Sequence, residues 1–220
     1  MILLHHLENS RSQRVLWLLE ELSLPYEVKR YERRPSLAAP PELKRVHPLG
    51  KSPVIEDGAL TLAETGAIVA YLAETYGKGR FQPEPGSPDW WRMQHFLHHA
   101  EGTAMPPLFM TLVFRRIPKE APLLIRPVAK ALMRGVDAHL LKPRITELLD
   151  YWDGALAETG WFAGTADPTL ADIMMSFPLE AAGSRIGFGG RLNLVAFLER
   201  IHARPAYGRA LERGGPYAYA

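Results

Sequence analysis

The stretch that decides the fold reads Pro48-Leu-Gly-Lys-Ser-Pro-Val-Ile-Glu-Asp-Gly-Ala-Leu-Thr-Leu-Ala-Glu-Thr-Gly-Ala-Ile-Val-Ala-Tyr71. Pro53 stands where a strand begins, and Asp57-Gly58 between two apolar runs is a strong signal for a hairpin. Glu64 and Thr65 form a polar pair at the start of a helix, where free N–H groups favour an anion. The stretch therefore predicts an extended backbone segment followed by an anion site.

The composition is typical of a globular protein. The 220 residues are 47% hydrophobic, which is enough for a sizeable core in one or two domains. The net charge is only +2 and no run of like charges is long, so we expect no nucleic-acid partner. The absence of cysteine excludes disulfides and thiolate metal ligands. No apolar run approaches the roughly 20 residues that span a bilayer, so we expect no membrane partner.

Short strands and helices alternate in the first third of the chain. The predicted strands are Ile2–His5, Tyr26–Tyr31, Pro53–Glu56 and Ala59–Leu62. The predicted helices begin at Ser10 or Arg11, at Glu42 and near Glu64, and a loop over Pro35–Pro41 precedes the second of them. Ser10 and Gln13 fit a capping box at the first helix. The order βαβ, short α, ββα predicts the mixed four-stranded sheet of thioredoxin-like domains.

No convincing strand follows Asp89. Residues 78–88 are rich in glycine and proline, so they are predicted to link a domain over 1–77 to an all-helical domain over 89–220. The first long helical segment should kink or break at Met105-Pro106-Pro107, and Pro127 and Pro143 divide or bend the second. Thr169 and Asp172 form a box at the start of a later helix, and two shorter helices follow it.

Four blocks of sequence, taken together and in order, resemble the cytosolic glutathione S-transferases over the whole chain. They are Asn9–Leu22, Pro41–Ile55, Leu62–Leu72 and Thr169–Asp172. The first block, with Ala100–Pro107, is especially similar to a bacterial and fungal branch related to a yeast transferase. The resemblance implies an α/β thioredoxin-like N-terminal domain, an all-α C-terminal bundle, a homodimer and a cytoplasmic location.

The resemblance implies that the bond between Ser52 and Pro53 is cis. That geometry exposes the backbone N–H and C=O of Ser52, with which the cysteinyl unit of glutathione would pair as an added antiparallel strand. From the residues alone, a trans proline that opens a strand is the commoner case, because only about 5–6% of X–Pro bonds are cis.

The same resemblance implies which residues bind the charged ends of glutathione. The γ-glutamyl carboxylate would bind the N–H and hydroxyl of Thr65, and the ligand ammonium would bind Glu64. Lys51 would pair with the glycine carboxylate. The residues alone leave simpler alternatives open, because Thr65 also suits a plain helix cap and an exposed lysine is usually only solvated.

The resemblance places the thiol-activating residue after the first strand, where Ser10 matches it, four residues before Arg14. A hydroxyl donor and the helix dipole both favour a thiolate over a thiol. Asn9, through its amide N–H, and Ser12, through a second hydroxyl, are the alternatives. The end of the first strand carries no tyrosine and the chain has no cysteine. We therefore expect a transferase whose thiol-activating residue is a serine.

Two further sets of side chains complete the candidates. The resemblance places Glu101 in the dimer groove, within reach of the partner subunit's ligand ammonium. His95, His98 and His99 lie at helical spacing, but no carboxylate or cysteine supplies an obvious third ligand, so we expect no metal site.

The function implied is conjugation of the glutathione thiolate to an apolar electrophile, a detoxification reaction in which glutathione is the co-substrate. The alternatives are a glutathione-dependent peroxidase for organic hydroperoxides and a non-catalytic glutathione-binding interaction module. The identity of the electrophile is not encoded in any motif, because its pocket would come from the diffuse apolar lining of the helical domain.

Overall fold

The computed structural model describes residues 1–34, 36 and 38–219, so Pro35 and Leu37 of the predicted loop lie outside the described residues. Its four strands are β1 (Ile2–Leu7), β2 (Tyr26–Tyr31), β3 (Val54–Asp57) and β4 (Leu60–Ala63). They form one sheet in the order β2-β1-β3-β4. β1 and β2 are parallel, whereas the β1–β3 and β3–β4 pairs are antiparallel. The predicted mixed four-stranded sheet is therefore confirmed.

The hairpin between β3 and β4 is confirmed, but its turn is shifted by one residue. Asp57 pairs with Leu60, so the two turn residues are Gly58 and Ala59 rather than Asp57 and Gly58. Gly58 has φ +60°. A glycine with positive φ at the first central position is the arrangement of a type II′ turn, whose twist matches that of the strands.

Ten α-helices are described: α1 (Ser12–Glu21), α2 (Leu43–Val46), α3 (Thr65–Tyr76), α4 (Pro88–His99), α5 (Met105–Glu120), α6 (Arg126–Val136), α7 (Lys142–Leu156), α8 (Leu170–Arg185), α9 (Leu192–His202) and α10 (Pro205–Gly214). Every described strand precedes α3, so the remainder is helical as predicted. Residues 77–87 join α3 to α4, and Phe81 in this segment is buried and accepts a hydrogen bond from the N–H of Leu170. The division into domains at 77 and 89 stays a prediction.

The predicted interruption at Met105-Pro106-Pro107 is confirmed as a π-helical turn over Ala100–Ala104, between α4 and α5. Two successive prolines cannot donate the backbone hydrogen bonds that would continue α4, and a single wide turn absorbs the mismatch. A second π turn over Asp137–Leu141 precedes Pro143 in the same way.

The predicted capping box between Ser10 and Gln13 is wrong. Arg11 is the N-cap residue of α1, and no side chain caps the helix. The amide of Gln13 is buried, with no hydrogen-bond partner among the described residues. It is directed at α10, where a Cβ added to Gly214 would lie 3.0 Å from Oε1 of Gln13. Close packing of α1 on α10 therefore overrides the local capping signal.

The box at the start of α8 is confirmed. Thr169 accepts from the N–H of Ala171, and Oδ2 of Asp172 accepts from the N–H of Thr169 at 2.7 Å. The other oxygen of Asp172 accepts from the N–H of Phe162 at 2.8 Å. Burial raises the pKa of Asp172 to about 6, although these hydrogen bonds oppose the shift. The box thereby ties the preceding loop to α8, a largely buried helix.

Candidate active site

A cavity of about 240 Å³ lies between the β3–β4 hairpin, the start of α3 and the π turn. It brings together all six residues that the sequence singled out for binding: Lys51, Ser52, Pro53, Glu64, Thr65 and Glu101. Two larger cavities, of about 550 and 540 Å³, contain none of these residues, and a third, of about 430 Å³, shares Glu64 and Glu101 with it. The chemistry of the small cavity, rather than its size, makes it the candidate site.

The bond between Ser52 and Pro53 is cis, as predicted. The hydroxyl of Ser52 donates to the carbonyl oxygen of His5 at 2.8 Å and accepts from the N–H of Leu7 at 3.1 Å. These bonds attach the segment to the end of β1. Because the hydroxyl is used within the protein, the part of Ser52 that a peptide ligand can pair with is its backbone.

Glu64 and Thr65 stand at the N-terminus of α3. Glu64 is the N-cap residue, with φ 70° and ψ 121°, a backbone conformation that is sparsely populated for a residue other than glycine. Thr65 is 4% exposed, and no side chain caps the helix. The first N–H groups of α3 therefore face the cavity side without a side-chain acceptor, as an anion site requires.

Glu101 is held by two arginines of its own chain. Nε of Arg11 donates to both carboxylate oxygens, at 2.9 and 2.8 Å, and Nη2 of Arg14 donates to Oε1. Arg14 is 1% exposed, and its Nη1 also donates to the carbonyl oxygen of Met174 at 2.8 Å. The π turn thus carries Glu101 into the cavity of its own subunit. Its contact with a partner subunit stays a prediction.

The sequence reasoning missed two charged or polar residues of the cavity, Arg11 and His47. Arg11 directly follows Ser10, so its position beside a candidate catalytic residue was a signal that could have been used. His47 precedes Pro48 at the end of α2, and only the fold of the loop brings it to the cavity.

Ser10 and Ser12 form a chain of hydrogen bonds that runs into the protein. Their hydroxyl oxygens are 2.7 Å apart, and the hydroxyl of Ser12 is 2.8 Å from Nδ1 of His6. Burial, followed by the charge of Arg30, lowers the pKa of His6 to about 4, so this ring is neutral.

The direction of that chain depends on the tautomer of His6. With the single ring proton of neutral His6 on Nε2, Nδ1 accepts from Ser12, and Ser10 then donates to Ser12. Two further contacts of Ser12 surround this chain: its N–H donates to the hydroxyl oxygen of Ser10 at 3.3 Å, and its hydroxyl lies 3.3 Å from the carbonyl oxygen of Leu7. In this arrangement the proton of Ser10 points into the protein.

Asn9 precedes Ser10 in the left-handed region, with φ 48°, which asparagine tolerates better than most residues. Its Oδ1 accepts from the N–H of Ala218 at 2.7 Å, and its carbonyl oxygen accepts from Nη2 of Arg33 at 3.3 Å. An N–H donor identifies the bonded atom as the amide oxygen. The NH2 group of Asn9 is therefore directed away from Ala218.

The three histidines of α4 have separate surroundings. His95 is hydrogen-bonded to the hydroxyl of Tyr151 at 2.9 Å, and His99 accepts from Nε1 of Trp152 at 2.9 Å. His98 is exposed. Over residues 1–34, 36 and 38–219, no three His, Cys, Asp or Glu side chains are close enough to hold a metal ion. In the same residues, no helix is long and apolar enough to cross a membrane.

Comparison with known proteins identifies the family of this chain. Residues 1–74 match the model of the glutathione S-transferase N-terminal domain. Glutathione S-transferase 3 of Schizosaccharomyces pombe is 36% identical over 97% of this chain and 88% of its own length.

Two solved structures are also similar. A glutathione S-transferase from Actinobacillus pleuropneumoniae is 31% identical with a TM-score of 0.80, over 97% of this chain and 93% of that one. A glutathione transferase family member from Pseudomonas fluorescens, with two glutathione bound, is 27% identical with a TM-score of 0.75, over 96% and 92%. The chain therefore belongs to the glutathione S-transferase family.

Proposed function

We propose that this protein is a glutathione transferase that adds the glutathione thiolate to apolar electrophiles. The observation that carries this proposal is the cavity in which the Ser52–Pro53 segment adjoins the N-terminus of α3. Glutathione is an extended peptide with a carboxylate at each end and an ammonium at one of them. Backbone that can pair with a peptide, beside a helix N-terminus that can bind a carboxylate, matches this distribution of groups.

The charged ends of glutathione have partners in this cavity. The γ-glutamyl carboxylate binds the N–H and hydroxyl of Thr65, and the adjacent ammonium binds Glu64. Lys51 pairs with the glycine carboxylate at the exposed rim of the cavity. Glu101 adds a second carboxylate, but Arg11 and Arg14 already neutralise it. Glu64 is accordingly the carboxylate that is left for the ligand ammonium.

We assign stabilisation of the thiolate to Asn9 in preference to Ser10 or Ser12. Ser10 is 5% exposed and Ser12 is fully buried, and both hydroxyl protons serve the chain to His6. His6, with a pKa of about 4, is too weak a base to take the proton of a thiol whose pKa is near 8.5. Asn9 is half-buried and directs its NH2 group away from the protein contact.

The reaction then needs no protein nucleophile. An amide N–H that donates to the sulfur anion lowers the pKa of the glutathione thiol, and its proton goes to solvent. The sulfur electron pair forms a C–S bond with the electrophilic carbon, and a leaving group such as halide departs with its bonding pair. The protein contributes position and anion stabilisation, and the product is a less reactive conjugate.

The test is turnover of an aromatic halide with glutathione, alongside calorimetric titration of glutathione alone. We expect both saturable glutathione binding and conjugate formation. Binding without turnover of the halide or of a hydroperoxide would instead support a non-catalytic interaction module. No glutathione binding at all would contradict the assignment of the cavity.

A second candidate is reduction of organic hydroperoxides. The thiolate would attack a peroxide oxygen and release an alcohol, and a second glutathione would convert the resulting sulfenic acid to a disulfide and water. The similar Pseudomonas fluorescens protein has been solved with two glutathione bound, and a reaction of this kind consumes two. Cumene hydroperoxide, compared with the aromatic halide at equal glutathione concentration, distinguishes the two activities.

We further propose a homodimer in the cytoplasm. Trp91 of α4 and Phe109 of α5 are 62% and 54% exposed, and large exposed apolar side chains commonly mark an interface. A cytoplasmic location suits a reaction that consumes reduced glutathione, which reducing compartments maintain. Sedimentation equilibrium of the purified protein gives the assembly, and fractionation of the source cells gives the location.

A further inference from the structure

The C-terminal segment, residues 215–219, returns to the loop that follows β1. The N–H of Ala218 donates to Oδ1 of Asn9 at 2.7 Å, which joins residues 209 positions apart. A main-chain N–H thus binds the side chain of the residue that we propose stabilises the thiolate. The chain end is thereby part of the same corner of the molecule as the start of α1.

Tyr217 anchors the segment on one side of Ala218. Its hydroxyl donates to Oε2 of Glu180, a carboxylate of α8 that is 2% exposed. Burial, followed by the charge of Glu180, raises the pKa of Tyr217 well above its usual range, so the phenol keeps its proton and remains a donor. Tyr207 of α10 donates to the other oxygen of the same carboxylate.

Tyr219 anchors the segment on the other side of Ala218. Its ring packs edge-on against Phe177 of α8, with centroids 5.7 Å apart. Its hydroxyl accepts from Nη2 of Arg185 at 2.9 Å, and the guanidinium also lies 5.2 Å from the ring centroid. The tyrosines on either side of Ala218 are therefore both anchored to α8. Ala218 in turn holds the side chain of Asn9.

We propose that residues 215–219 are a positioning element that sets the amide of Asn9 for the thiolate. This inference rests on the proposed role of Asn9. A side-chain amide carries an acceptor oxygen and a donor NH2 on the same carbon, so a donor fixed on the oxygen turns the NH2 group the opposite way. Arg33 holds the backbone of Asn9, so the bond from Ala218 is what selects the rotamer.

The consequence is that docking of the chain end controls the acidity of bound glutathione. With the segment in place, the NH2 group of Asn9 faces the sulfur. Because the side chain is already ordered, glutathione binding costs no further conformational entropy at Asn9. Without the segment, the amide of Asn9 rotates out of line with the sulfur, and its hydrogen bond to the thiolate is lost. Tyr217 and Tyr219 are positioning residues in this sense, because neither needs to touch glutathione.

The experiment measures the pKa of the glutathione thiol in the binary complex, from the ultraviolet absorbance of the thiolate against pH, together with glutathione affinity. The proteins are the wild type, a chain that ends at Pro216, Asn9→Ala and the combination. We expect the truncation and Asn9→Ala each to raise the thiol pKa by about one unit, the size of one hydrogen bond to a charged group. The combination should raise it no further, and glutathione affinity at low pH should change less than twofold.

A matched pair of conservative variants separates the segment from general packing. Tyr217→Phe and Tyr207→Phe each remove one hydroxyl from Glu180, but only Tyr217 belongs to the segment. We expect Tyr217→Phe to raise the thiol pKa and Tyr207→Phe to leave it unchanged. Because each variant keeps its ring in place, this pair remains informative even if the truncated chain folds poorly.

Each outcome has a distinct meaning. A normal thiol pKa in the truncated chain and in Tyr217→Phe, with a raised value in Asn9→Ala, overturns the positioning element and leaves the role of Asn9 intact. Equal rises in Tyr217→Phe and Tyr207→Phe also overturn it, because the effect then runs through Glu180. A normal value in Asn9→Ala contradicts the proposed thiolate donor itself.

Discussion

The two halves of the candidate site are built in different ways. Most of the cavity proposed for glutathione comes from one stretch, from Lys51 to Thr65, in which a strand, a tight turn and a helix start follow one another. The thiol corner around Asn9 and Ser12 depends instead on His6, Arg33 and Ala218. Local sequence therefore builds most of the cavity proposed for glutathione, whereas the proposed donor to its sulfur depends on a contact 209 positions along the chain.

The largest expected effect is on the stability of the thiol corner in acid. His6 takes a proton near pH 6.5 when unfolded but only near pH 4 when folded, so the unfolded chain binds more protons between these values. The stability that neutral His6 provides is present above pH 6.5 and is lost as the pH falls towards 4. A shift of this size is worth about 3 kcal/mol at most.

The measurement is the free energy of unfolding in urea at pH 7 and near pH 4. We expect the wild type to lose about 3 kcal/mol more over this range than His6→Asn, whose amide oxygen can still accept from Ser12. The two proteins must be compared because other groups also change the stability over this pH range. The lowered pKa of His99 adds to the loss in acid, and the raised pKa of Asp172 opposes it. An equal loss in the two proteins would show that the corner does not depend on a neutral His6.

The next effect concerns glutathione binding in the cavity. Glu64→Gln combined with Thr65→Ala removes the partner of the ligand ammonium and a hydroxyl that binds its carboxylate. Loss of two such hydrogen bonds to charged groups should weaken glutathione binding by about a hundredfold in calorimetry. The pKa of the bound thiol, measured at saturation, should stay normal, because the corner is untouched.

Thr61→Ala is the matched control for that double variant. Thr61 is exposed on β4, in the strand just before the cavity, and does not line it. We expect affinity within twofold of the wild type. A large loss in this variant would mean that the hairpin as a whole, rather than the N-terminus of α3, determines binding.

The smallest expected effect belongs to Ser10→Ala. Because the hydroxyl proton of Ser10 points to Ser12, its removal should raise the thiol pKa by less than about 0.5 units and lower turnover less than threefold at neutral pH. The same titration that serves Asn9→Ala measures it. A rise of a full unit would return the catalytic role to Ser10 and show that glutathione reverses the chain of hydroxyl protons.

Much of the fold followed from short-range signals. The strand Tyr26–Tyr31 was predicted with its bounds, the hairpin with a one-residue error, and the α8 box with both of its members. The hairpin and the box succeed because their hydrogen bonds join residues a few positions apart, and the strand succeeds because its alternating side chains mark its length. The box of Ser10 and Gln13 has the same local pattern but failed, because the side chain of Gln13 is buried against Gly214 of α10 instead of turning back to Ser10.

The sequence by itself determined the family, the mixed sheet, the helical remainder and six residues that line the candidate cavity, since most of these rest on local patterns in contiguous stretches. It placed Ser10 first as the donor to the thiolate and left Asn9 and Ser12 as alternatives. Only the tertiary structure showed the contacts that bear on this choice, which are the ring of His6 at Ser12 and the N–H of Ala218 at Asn9. A hydroxyl or amide can donate to a ligand only where its other hydrogen bonds leave a proton free, and the bond that holds Asn9 comes from 209 positions along the chain.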